Sequence, residues 1–152
     1  MKAKSVLALF GLVLAGLFAQ AARAQEARVT VESTHSYEQT IDNLKGAVSH
    51  GGMMVMAQVN QGNMLSMTGI SLKATLFLVG NPTVGKKLFE QDHGVGLYVP
   101  VRVSVYEDKD GKTYVSYDKP SSLLKQFNNP QIDMVAGMLD QKLQGLAQMA
   151  TH

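Results

Sequence analysis

Apolar residues fall at every second position between Arg28 and Ser33, where Val29 and Val31 alternate with polar neighbours, and this period predicts a half-buried strand. The period then lengthens. Tyr37, Ile41, Leu44 and Val48 recur at helical spacing, which predicts one amphipathic helix. Ser36 and Gln39 stand as a capping box requires, the hydroxyl accepting from the amide three residues on and the glutamine reaching back. His50-Gly51-Gly52 ends that helix, because glycine tolerates positive φ. Met53 to Val59 is a dense apolar run between these glycines and Asn60-Gln61-Gly62-Asn63, and it reads as a buried strand. Met64 to Lys73 follows neither period and leaves a short helix open. Ala74 to Val79 is a second apolar strand, broken by Gly80-Asn81-Pro82. Asn81 suits an N-cap and Pro82 a first helical turn, so a helix is expected from Pro82 to about Asp92.

Farther along, Val99, Val101, Val103 and Val105 alternate strictly with Arg102, Ser104 and Tyr106. Asp108-Lys109-Asp110-Gly111 follows as a turn and Lys112 to Asp118 returns, the pattern of a β-hairpin. Its register decides whether Tyr114 or Tyr117 shares a face with Arg102, since a slip of one residue exchanges the faces. Pro120 and Pro130 bracket a short segment, and Ile132, Val135, Leu139, Leu143 and Leu146 then mark one stripe of a final helix. Together these elements predict a single small α+β domain: an antiparallel β-sheet with helices packed on it, plus a C-terminal amphipathic helix. Nothing repeats internally.

Composition changes this picture mainly at the N-terminus. Lys2 and Lys4 precede the apolar run Val6 to Ala19, and Ala22-Arg23-Ala24 offers small residues to a signal peptidase, so residues 1–24 read as a cleaved signal peptide. The run is shorter than the roughly 20 residues of a membrane span. Cleavage leaves Gln25 first, no span, and a periplasmic or secreted product. The chain has no cysteine, hence neither a disulfide nor a lipid-anchoring thiol. Without Lys2, Lys4 and Arg23 the 14 basic residues become 11 against 12 acidic ones. Such a near-neutral, scattered charge lacks the footprint of a nucleic-acid binder.

Two segments carry a family likeness. Gly80-Asn81-Pro82 with Gly85, and Leu97-Tyr98-Val99-Pro100-Val101-Arg102-Val103-Ser104-Val105-Tyr106-Glu107-Asp108 leading to Gly111-Lys112 and Val115-Ser116-Tyr117, together resemble the domain-of-unknown-function 302 family. The likeness covers about residues 53–120, and the preceding strand and helix also fit. It implies a compact α+β domain with an antiparallel sheet, often dimeric, and no established activity. Many members of that family place an Asp-His pair just after the second strand, where this chain has Asn60-Gln61, so any role of that pair does not carry over. Residues 25–125 are accordingly expected to form the family-like domain and 126–152 a C-terminal helical extension.

Candidate chemistry is sparse. Backbone amides at Asn81-Pro82 can form a nest for an anion, with Lys86 and Lys87 one turn on, although simple turn chemistry explains the same residues. Arg102, Tyr106 and one of Tyr114 or Tyr117 can present a guanidinium and phenols to a carboxylate or planar ligand. The plainer alternative pairs Arg102 with Glu107 or Asp108. His93, in a glycine-flanked loop, is the histidine expected to be exposed. The candidate ligand-binding set is therefore Asn81, His93, Arg102, Tyr106 and Tyr117. A metal alternative draws on His50, Met53, Met56 and His93 as Cu(I) ligands, against which adjacent methionines of a strand point to opposite sides and core packing accounts for the rest. Glu107, Asp108 and Asp110 lack calcium-loop spacing and read as a solvated turn. No Gly-x-Ser-x-Gly elbow, P-loop or dinucleotide fingerprint occurs, and no residue is assigned a catalytic role.

The leading expectation is an exported, non-catalytic binding or interaction module without a cofactor. It would associate with itself as a homodimer, join an envelope protein, or hold a small ligand between hairpin and helices. The final helix motivates a partner, since so short a domain is not expected to cover its whole apolar stripe. Copper binding through His and Met is the alternative, and a hydrolase or lyase using His93 and Arg102 is the third reading.

Overall fold

A computed structural model describes residues 27–152; the expected signal peptide, residues 1–24, lies outside the described residues. Five strands, β1 (Arg28–Glu32), β2 (Met54–Asn60), β3 (Ala74–Gly80), β4 (Val101–Glu107) and β5 (Thr113–Asp118), form one antiparallel sheet in the order β1-β5-β4-β3-β2. The helices are α1 (Tyr37–His50), α2 (Gln61–Ser66), α3 (Pro82–Phe89), α4 (Pro120–Leu124) and α5 (Pro130–Thr151), with short 3₁₀ turns at His93–Leu97 and Lys125–Phe127. The class expected from the sequence, a single α+β domain with helices on an antiparallel sheet and a C-terminal helix, is the one observed.

Period two sorts the strand residues onto two faces. Thr75, Phe77, Val79, Val101, Val103, Val105, Val115 and Tyr117 are buried on the inner face, beneath α1 and α5. The other face bears Arg28, Thr30, Arg102, Ser104, Tyr106, Tyr114 and Ser116, none of them buried. Polar groups inside the core are paired with one another. Tyr37 Oη and Thr75 Oγ1 lie 2.7 Å apart, and Thr40 Oγ1 donates to the Ser36 carbonyl at 2.8 Å.

Several boundaries differ from expectation for local reasons. β2 is an edge strand rather than a buried one: it pairs only with β3, a bulge interrupts the register between Val55 and Ala57, and most of its residues are exposed. α3 stops at Phe89 rather than near Asp92, because the Asp92 carboxylate caps the following turn by accepting from Gly94 N at 2.7 Å. The ambiguous stretch holds a short helix that begins earlier, at Gln61, where Asn60 caps it by accepting from Asn63 N at 2.8 Å.

The final helix is the larger correction. Ile132, Val135, Leu139, Leu143 and Leu146 are buried within the same cluster as Leu44, Val48, Phe77 and Val105, so the domain covers the stripe itself. The helix is tied in at its C-terminal end and at its middle. Thr34 donates from both its amide and its hydroxyl to the Thr151 carbonyl, each at 3.0 Å, while Asp140 accepts from the Ser121 amide and hydroxyl and so caps α4 from α5. Its apolar stripe therefore provides no argument for a partner.

Candidate functional site

Asn81 forms the junction between β3 and α3. Its Oδ1 accepts from Thr83 N at 2.8 Å and Val84 N at 3.2 Å, its carbonyl accepts from Gly85 N at 2.8 Å, and its Nδ2 donates to the Gly52 carbonyl at 2.7 Å. Turn chemistry thus uses the amides that an anion would need. What Asn81 positions instead is the mouth of a cavity of about 370 Å³ between α3, the start of β4 and α5. Its walls include Met53, Met56, Val79, Leu88, Val101 and Leu139, and Asn81 and Lys86 supply its polar side chains.

Two glycines shape that space. A methyl group added at Gly80 would stand 3.2 Å from Pro100 Cβ and 3.6 Å from Met56 Cγ, so the absence of a side chain lets the β4 lead-in approach β3. Gly85 is different: it lies inside α3, lines the cavity, and a methyl group there would meet nothing within 4 Å. An interior glycine costs a helix roughly 0.8–1 kcal/mol against alanine. No neighbour requires that glycine; it simply leaves the cavity wider.

The remaining sequence candidates are dispersed. Arg102 and Tyr106 share the open face with Tyr114, whose ring stacks on Tyr106 at 5.4 Å between centroids, because Tyr106 is the register partner of Tyr114. Tyr117 points to the opposite, buried face, so it cannot join Arg102 and Tyr106 in one site. Burial, reinforced by the nearby Asp140 charge, pushes its phenol up to about 12. Arg102 makes no ion pair among the described residues; Glu107 instead engages Lys73 at 3.3 Å. Asp108 accepts from the amides of Asp110 and Lys112, both at 2.9 Å, and these hold its carboxyl below the usual range, led by the Lys112 amide. His93 is exposed at the start of its 3₁₀ turn, outside the cavity lining.

The metal candidates divide in the same way. Met53 and Met56 line the cavity, whereas His50 is exposed with Nδ1 2.8 Å from the Gly46 carbonyl, and neither histidine lines the cavity. Among the described residues no three His, Asp or Glu side chains converge as a metal cluster. Sequence reasoning expected a pocket between hairpin and helices but not its lining, whose walls come from residues as far apart as Met53 and Leu139. Gly85, an isolated glycine inside a predicted helix, was the available signal.

A second hollow of about 360 Å³ lies between β1 and the last turns of α5, lined by Val29, Val31, Tyr117, Gln144, Gln148 and His152.

This arrangement, a five-stranded antiparallel sheet with two long helices on one face and an apolar cavity at one side, defines a small α+β domain. The chain belongs to the family described as domain of unknown function DUF302, whose model matches residues 29–150 and so runs through α5. It is similar to an uncharacterized conserved DUF302 protein from Bacillus stearothermophilus, whose crystal structure superposes with a TM-score of 0.77 at 22% identity, covering 82% of this chain and 98% of that one. It is also 33% identical over 101 residues to the fluoride-specific ion channel FluC 1 of Brucella suis biovar 1 and to FluC 1 of Brucella abortus biovar 1. The match takes in 66% of this chain but only 40% and 37% of those channels, so the chain spans about two fifths of the relatives' length.

Proposed function

We propose that the mature domain is an exported, non-catalytic binding module that works as a homodimer, joined through the apolar half of its open sheet face. One observation carries this reading. From Gly51 to Leu72 the chain holds no charged residue, and within that stretch Met54, Val59, Met64, Met67, Ile70 and Leu72 are exposed, Met67 by 84%. Sheet edges are ordinarily guarded by charge, and contiguous apolar surface on a monomer marks an interaction site. A surface with no charge suits a second copy, because a two-fold contact sets like residues against like. The bulge between Val55 and Ala57 interrupts the β2 edge, which favours packing of the faces over pairing of the edges.

The Brucella relatives add support of another kind. In them a segment like this chain is part of a longer polypeptide named as an ion channel, and no described helix here is long and apolar enough to cross a membrane. A domain that assembles beside other proteins fits both facts. Export rests on the leader: protein recovered from the envelope is expected to begin at Gln25, and an intact leader on protein in the cytosol would contradict it.

Light scattering on the purified protein tests the dimer. A mass of two chains is expected, falling to one in a Met54→Lys, Val59→Lys variant whose circular dichroism is unchanged. A native protein that stays monomeric at concentrations on the order of 0.1 mM overturns the reading.

A further inference from the structure

We infer that the cavity beneath α3 binds a free medium-chain aliphatic carboxylate, its alkyl chain inside and its carboxylate on Lys86. The site adjoins the proposed dimer surface at Met56 but does not depend on that reading. Its walls are side chains of Met53, Val79, Leu88, Val101 and Leu139, which offer an alkyl chain dispersion contacts and no unpaired hydrogen-bonding group. Asn81, the polar residue at the junction, has its carboxamide oxygen taken by the Thr83 and Val84 amides and an amide hydrogen by the Gly52 carbonyl, so it makes little demand on the ligand.

Charge selects the head group. No carboxylate lines the cavity, while Lys86 does, with a side chain 73% exposed. Its present partner is Glu90 at 3.7 Å, an exposed pair one helical turn away that a ligand carboxylate can replace at little expense. Size selects the chain length. At about 370 Å³ the space lies at the small end of ligand sites, which run from roughly 300 to 1,000 Å³, and suits a single medium alkyl chain rather than a membrane lipid. Gly85 completes the case: it leaves vacant the volume that any side chain on α3 would occupy.

Isothermal titration of the protein, expressed from its full coding sequence and purified, with decanoate, with decanol and with phosphatidylglycerol vesicles tests this. Decanoate is expected to bind with one site per chain. Gly85→Leu, which projects into the cavity without meeting a neighbour at Cβ, should weaken it roughly tenfold or more by filling the space. Lys86→Gln, on an exposed position that does not threaten folding, should weaken decanoate about threefold, in keeping with one exposed charge pair, and leave decanol unchanged. Gly85→Ala serves where Gly85→Leu fails to fold, and should raise the thermal midpoint while lowering decanoate affinity. Absence of saturable decanoate binding, equal losses for decanoate and decanol in Lys86→Gln, undiminished binding in the Gly85 variants, or binding to vesicles without binding to decanoate would each overturn the inference.

Discussion

Toward its two edges the inner face of the sheet holds hollows of nearly equal volume, about 370 Å³ by β3 and about 360 Å³ by β1, yet they offer different chemistry. The first is walled by carbon, and the second is crossed by Gln144, Gln148 and His152. The surfaces above them differ in the same sense. Over β1 and β5 the open face is laced with Arg28–Asp118 at 2.8 Å, Thr30–Ser116 at 2.9 Å and Lys112–Glu32 at 3.0 Å; over β2 there is no charge at all. Volume alone therefore does not pick out a site. The lining and the neighbouring surface distinguish the two, and the β2–β3 side is the apolar one.

Truncations along α5 should break the comparison most visibly. Leu143 is buried and lines neither hollow, so Leu143→Ala is expected to lower stability by about 3–4 kcal/mol, measured by urea unfolding at an unchanged slope. Leu139 already faces the apolar cavity and has fewer contacts to lose, which places Leu139→Ala nearer about 2 kcal/mol. Equal losses would mean that the cavity side is packed as closely as the rest of the core.

A smaller effect sharpens the β1–β5 side. Tyr117 titrates at about 12 rather than near the usual 10, chiefly because it is buried and secondarily because of Asp140. Its raised value favours the neutral phenol in the fold, so this contribution is complete below about pH 10 and is lost as pH climbs toward 12. Tyr117→Phe removes that loss, and the alkaline unfolding midpoint followed by circular dichroism should move upward. An unchanged midpoint would assign alkaline unfolding to other groups.

The smallest effect belongs to the surface. Arg28→Ala removes an exposed pair and should cost at most about 1 kcal/mol at low salt, vanishing near 1 M. It should leave the mass in solution unchanged, in contrast with lysine substitutions at Met54 and Val59.

Most of the architecture was legible because it is written in short periods. The alternation Val101, Val103, Val105 is the buried face of β4, and Ser36 and Asn81 are the caps they were expected to be. Short-range signals fail where the outcome depends on distant residues. Nothing local placed Tyr114 rather than Tyr117 beside Tyr106, since register is fixed by the whole hairpin and the core beneath it. Met53 to Val59 looked like a central strand because apolar residues serve a buried strand and an uncovered edge equally well. The lining of the cavity was hidden for the same reason: Met53, Gly85, Pro100 and Leu139 meet only after the sheet and α5 have assembled.

The bond between Thr34 and the Thr151 carbonyl ties the start of the described chain to its far end. A polypeptide growing from its N-terminus can form α1 early, but α1 gains its most extensive helical partner only when α5 arrives to lie along it. Proteolytic trimming within that last turn, or a fusion that disturbs it, therefore acts on the beginning of the protein as much as on its end.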